Sequence, residues 1–89
     1  MANLYLIDKP FGENGLRLAA EDREAQVVLI QDGVYLDPSA LLHEGRPVYA
    51  LGADVAKRGL ADRLPAGVKP LDYAGLVDLI FLHKVVNFA

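Results

Sequence analysis

The sequence contains no cysteine and no threonine, and its one serine is Ser39. Without a thiol there is no disulfide, no thiolate metal ligand and no cysteine nucleophile. Ser39 follows Asp37-Pro38 with no base placed beside it, so it reads as part of a helix start rather than a nucleophile. Only nine residues are Lys or Arg against twelve Asp or Glu, giving a net charge of −3, and the basic residues form no block. A phosphate-gripping surface carries a basic stripe, so direct nucleic-acid binding is not expected, nor is a polybasic membrane anchor. The opening "MANLYLIDKP" lacks the charged start and long apolar run of a signal peptide. The run Leu79–Leu82 falls far short of the roughly 20 residues that span a bilayer. There is no phosphate-binding glycine loop, because "PFGENGL" does not directly follow a strand and fits no nucleotide fingerprint. His43 and His83 stand far apart with no second ligand at metal spacing, and each reads as a helix-end histidine. No metal and no cofactor is expected.

What is present is apolar content: 53% of 89 residues are hydrophobic. A single domain of this length, residues 1–89, buries only roughly 60–65% of its unfolded surface. Part of that apolar surface should therefore face another subunit. "LYLI" at 4–7 predicts a buried strand, followed by a loop at Asp8-Lys9-Pro10. "ENGLRLAAEDREA" at 13–25 predicts a helix weakened early by Gly15, with Leu16, Ala19 and Ala20 inward and a solvated charged end. "QVVLI" at 26–30 is a second strand. Asp37 and Pro38 then open a short helix that Gly45 ends. "PVYAL" at 47–51 is a third strand, and Gly52 or Asp54 begins a helix with Val55 and Ala56 inward and Gly59 as its stop. "VKPLD" at 68–72 reads as an edge strand, since Pro70 has no N–H. "YAGLVDLIFLHKVV" at 73–86 predicts a last helix that is apolar nearly all round. Such a helix needs cover on more than one side, which points to Ile80 and Phe81 as subunit-contact residues.

The alternation β-α-β-α-β-α-β-α predicts an α/β domain with a small, mostly parallel sheet and right-handed crossovers. Parallel strands end at one edge, where ligands and partners bind. That rim gathers Asp8 and Lys9, then Gln31, Asp32 and Gly33, then Gly52 and Asp54, then Asp72 and Tyr73. Two readings stay open for Gln31-Asp32-Gly33. It is a turn, with Asp bonding the backbone and Gly supplying positive φ, or it is part of a cation or phosphate site with Asp8 and Lys9. Tyr5, Tyr35, Tyr49 and Tyr73 read as core or interface aromatics. No catalytic constellation emerges.

"VVLIQDGVYL", "PVYALGADVAKRGL" and "PLDYAGLVDLI", together with the opening "LYLIDKP", resemble the DsrH/TusB family in order and spacing over most of the chain. The resemblance implies a DsrE-like three-layer α/β/α fold and a cytoplasmic sulfur-relay role. Members join DsrE/TusD-type and DsrF/TusC-type sisters, two copies of each, in a complex that passes persulfide sulfur. The sulfur serves wobble 2-thiouridine formation in tRNA or dissimilatory sulfur oxidation. In the DsrE/TusD-type sister the active cysteine lies where the third rim loop enters its helix. Here that region is Leu51-Gly52-Ala53, and no thiol is present. A persulfide needs a thiolate, so this chain is expected to be a non-catalytic subunit. An acidic rim raises a thiol pKa, and Lys9, Lys57 or Arg58 would have to offset it near a partner's cysteine. The alternatives are a stand-alone homodimer binding a small ligand or partner protein at the rim, and an enzyme or phosphoacceptor using Asp8, Asp32 and Lys9.

Overall fold

The apolar runs "LYLI" and "VVLI" lie side by side within one parallel sheet. The structure is a computed structural model, and it describes residues 3–89. The strands are β1 (Asn3–Ile7), β2 (Gln26–Leu29), β3 (Val48–Leu51), β4 (Lys69–Leu71) and β5 (Lys84–Phe88). They are joined by α1 (Gly12–Glu21), α2 (Ser39–His43), α3 (Gly52–Lys57) and α4 (Tyr73–Leu82), with 3-10 turns at Lys9–Phe11 and Gln31–Tyr35. The strand order is β4-β3-β2-β1-β5, every neighbour parallel. From β1 to β4 the chain steps in one direction, so right-handed crossovers put α1, α2 and α3 on one face. The return from β4 to β5 crosses the sheet the other way and puts α4 on the opposite face, completing the three layers.

Strand alternation splits the apolar residues between the two faces. Tyr5, Ile7, Val27, Leu29, Val48 and Ala50 form the main core with Ala19, Leu41 and Val55 from the helices. Leu4 and Val28 point to the other face and are fully buried as well. Both faces of β1 and β2 are thus covered, which is why these strands show continuous rather than alternating hydrophobicity.

Several predicted boundaries shift. The expected helix over 73–86 ends at Leu82, and Lys84–Phe88 is a fifth strand paired with β1, from Asn3↔Lys84 to Ile7↔Phe88. His83 turns to extended backbone, and its ring Nδ1–H donates to the Leu79 carbonyl at 2.8 Å, a favourable end for a helix C-terminus. Helix α1 stops at Glu21 instead of 25, because Asp22 Oδ1 accepts the Glu24 N–H at 3.0 Å and competes with helix continuation. Ala56, expected inward, is exposed, and Asp54 is buried beside Val55 instead. Helix α2 begins one residue later than expected: Pro38 is its N-cap, without a side-chain capping bond, and Asp37 accepts the Ser39 N–H at 3.0 Å as a turn just before the helix. Gly45 and Gly59 have φ of +76° and +64°, as helix stops require.

The charged end of α1 is a built junction. Arg46 donates to the carbonyls of Ala19, Ala20 and Asp22, closing the helix C-terminus. Asp22 accepts from Asn3 Nδ2 at 2.6 Å and from the Tyr5 hydroxyl at 3.2 Å. The Asn3 bond leads the contacts that hold the Asp22 carboxyl below its usual 3.8. Because the folded-state value is depressed, this contribution is complete above pH 3.8 and is lost as pH falls through the folded value. Burial, aided by Asp22, raises the Tyr5 phenol above 10.0, so its contribution is complete below pH 10.0 and lost above the raised value. Thermal denaturation across pH should therefore show Asp22→Asn flattening the acid limb below pH 3.8 relative to the parent chain. Equal limbs in the two proteins would contradict this assignment.

Candidate functional site

All strands deliver their carboxyl ends to one edge, and the loops after β1, β2 and β3 interlock there. The chain leaves β2 through Ile30 and enters a 3-10 turn at Gln31, whose φ is +51°. It is Gln31, not Gly33, that takes the left-handed conformation expected of the glycine. This conformation is held from outside: the Gln31 N–H donates to Asp54 Oδ2 at 2.7 Å. Asp54 lies in the first turn of α3 and is 7% exposed, and Arg58 stands one turn further along the same helix. Arg58 Nε donates to Asp32 Oδ1 at 2.9 Å, and its Nη1 lies 3.6 Å from Asp54 Oδ1. The hydrogen bond to Asp32 is the main reason the guanidinium holds its proton even more firmly than usual. Two of the rim acids are therefore paired with one arginine, which offsets one of their two negative charges. The signal was the Asp54/Arg58 spacing of i, i+4, which puts both on one helix face.

Gly33 is needed for a different reason from the one predicted. A Cβ there would come closer than 3.0 Å to the Ile7 carbonyl oxygen and within 3.1 Å of the Asp8 Cα. The turn after β2 is packed directly on the end of β1, and only hydrogen fits between them. Asp8 caps the next 3-10 turn by accepting the Lys9 N–H at 2.6 Å. The Lys9 ammonium sits 5.7 Å from the centre of the exposed Tyr35 ring, a cation–π distance. Asp8 and Lys9 are thus turned to local partners, and Asp8, Asp32 and Lys9 form no shared site. Among the described residues, no group of three or more His, Asp or Glu side chains is arranged to hold a metal ion.

Gly52 and Tyr73 belong to a separate part of the rim. With Ala53, Pro70, Leu71 and Asp72 they line an open groove of about 570 Å³ between the starts of α3 and α4. Asp72 caps α4 by accepting the Gly75 N–H at 2.7 Å. From this groove α4 runs across the second face of the sheet. None of its residues is buried. Leu76 and Leu79 are half-covered, while Tyr73, Val77 and Phe81, spaced i, i+4 and i+8, stand exposed along the outside. Phe81 is 84% exposed, Leu82 69% and Ile80 38%.

The energetic weights at the rim differ. Replacing Asp54 by alanine leaves the Gln31 N–H unpaired in a left-handed turn and should cost about 1–3 kcal/mol. Asp32→Asn alters an exposed pair and should leave the melting temperature unchanged. Equal melting temperatures for Asp54→Ala and the parent chain would show that the buried carboxylate does not hold the turn.

A family model described as "DsrH like protein" matches residues 13–86. Protein TusB of Photorhabdus laumondii is 38% identical over 69 residues, covering 68% of this chain and 70% of its own. Protein TusB of Escherichia coli strain SMS-3-5 is 37% identical over 75 residues, covering 78% of this chain and 77% of its own. The crystal structure of the ychN protein from E. coli superposes with a TM-score of 0.83 at 22% identity, over 99% of both chains. The latter likeness is one of fold.

Proposed function

The chain belongs to the DsrH family, and from that premise we propose that it is the thiol-free subunit of a cytoplasmic sulfur-relay complex, with DsrE/TusD-type and DsrF/TusC-type sister chains. The observation that carries this reading is α4: a strongly apolar helix with no buried residue, in a chain that has no cysteine. Sulfur moves along such a relay when a thiolate attacks the outer sulfur of a persulfide and the donor's thiolate departs. This chain can supply neither group. Its part is to complete the assembly, with Ile80 and Phe81 on the subunit contact and the rim from Asp8 to Tyr73 facing a neighbour. The Arg58 pairings with Asp32 and Asp54 support that role, because they reduce the negative field that would otherwise oppose a neighbouring thiolate. The relayed sulfur serves either wobble 2-thiouridine formation in tRNA or dissimilatory sulfur oxidation.

The test is transfer of labelled persulfide sulfur through the assembly with and without this chain. Transfer should fall when the chain is omitted, and no label should reside on it after denaturation. Transfer at an undiminished rate without it would overturn the reading. The open groove lined by Gly52, Leu71 and Tyr73 supports a second reading, a stand-alone homodimer that binds a small ligand or partner protein at the rim.

A further inference from the structure

The two edges of the sheet are unlike. At one edge, β4 has only three residues and carries Pro70 and the exposed Lys69. Short length, proline and lysine are the devices that keep an edge strand from pairing. At the other edge, β5 has five residues, no proline and no glycine, and Lys84 is its one charge. Its first two residues and Asn87 are exposed.

The direction of its backbone groups follows from the ladder. Phe88 accepts the Asp8 N–H at 3.1 Å, so Phe88, and with it Val86 and Lys84, turns N–H and C=O toward β1. Val85 and Asn87 turn theirs outward, and among the described residues nothing pairs with them on that side. The outward row stops at Ala89, whose N–H is taken by Asn87 Oδ1 at 2.9 Å. What remains open is two donors and two acceptors, on residues two apart.

We propose that β5 pairs antiparallel with β5 of a second copy of this chain, about a two-fold axis at Val86, joining two sheets into one of ten strands. In that register Val85 of each copy exchanges both hydrogen bonds with Asn87 of the other, so all four open groups are satisfied. Val86 meets Val86 as the close, non-hydrogen-bonded pair. Lys84 stands opposite Phe88, so the strand's one charge never meets its own copy. The set is self-complementary, as a two-fold interface must be. The pairing uses backbone groups of β5 and does not depend on the sulfur-relay reading. It is compatible with an assembly that holds two copies of the chain.

Sedimentation velocity of the purified chain over a concentration series should show mass doubling as concentration rises. Val85→Pro removes one outward donor on each copy without touching the β1 ladder, and should hold the chain as a monomer over the same range. Because the chain has no cysteine, Val86→Cys introduces a single thiol. Paired across the axis at roughly 4.5 Å between Cα atoms, two such residues lie within disulfide reach. Mild oxidation should convert Val86→Cys to a covalent dimer and leave a Lys69→Cys control uncrosslinked. A parent chain that stays monomeric, a Val85→Pro dimer as strong as the parent's, or a Val86→Cys chain that crosslinks no better than the control would each overturn the proposal.

Discussion

Gly33→Val is expected to be the most damaging single substitution on the rim, with a loss of about 3 kcal/mol or more. The cause is backbone against side chain. The Ile7 carbonyl, the Ile7 carbonyl carbon and the Asp8 Cα all lie within 3.1 Å of where the new Cβ must sit, and none belongs to a flexible side chain. Relief requires separating the turn after β2 from the end of β1. That movement would break the Ile30 N–H to Ile7 C=O bond at 3.0 Å and loosen the Gln31–Asp54 contact. For a domain of this size the loss corresponds to a fall in melting temperature of roughly 12–24 °C. Gly33→Ala should show much of the same effect, since the Cβ itself makes the clash. A melting temperature within a few degrees of the parent for both variants would mean that the two loops are not packed as described.

Phe81→Asp should do the opposite: leave the isolated chain intact and remove its assembly with other subunits. The side chain is 84% exposed, so replacing it with a charge removes little intramolecular packing. Surface changes of this kind usually stay within about 0.5 kcal/mol. At a buried contact the same aspartate would be desolvated without a partner, and loss of an aromatic anchor alone is worth about 2 kcal/mol or more. Binding to sister subunits should therefore weaken by about thirtyfold or more while thermal unfolding of the isolated chain hardly changes. The edge pairing through β5 should survive, because it uses backbone groups of Val85 and Asn87. A Phe81→Asp chain that binds its sisters as tightly as the parent would place the contact elsewhere. The exposure of Phe81 is what separates loss of assembly from loss of fold in this variant.

The elements legible in the sequence were those set by local pattern. "LYLI", "VVLI" and "VYAL" are apolar runs bounded by turn residues, and each marks a strand of the sheet, the second ending one residue early at Leu29. Gly45 and Gly59 mark helix ends because positive φ is a local property of the chain. Strand β5 was not legible, because His83 and Lys84 break the apolar run without a glycine or proline and are compatible with more helix, leaving only Val85 and Val86 as a strand signal. Their extended conformation comes from pairing with β1, at the opposite end of the sequence. The rim candidates were placed by topology at the correct edge, yet their partners were not readable. Gln31 meets Asp54, Asp32 meets Arg58 and Gly33 meets Ile7 through contacts between different loops. Composition pointed to excess apolar surface, and α4 is where that excess lies uncovered.

The central claim is that this chain completes a relay assembly whose chemistry resides in other subunits. Native mass spectrometry of the chain mixed with the DsrE-type and DsrF-type proteins of its own organism tests it most directly. The account predicts a complex with two copies of each protein, dissociated when Phe81→Asp replaces the parent chain. A chain that ignores both proteins at every ratio would contradict the account.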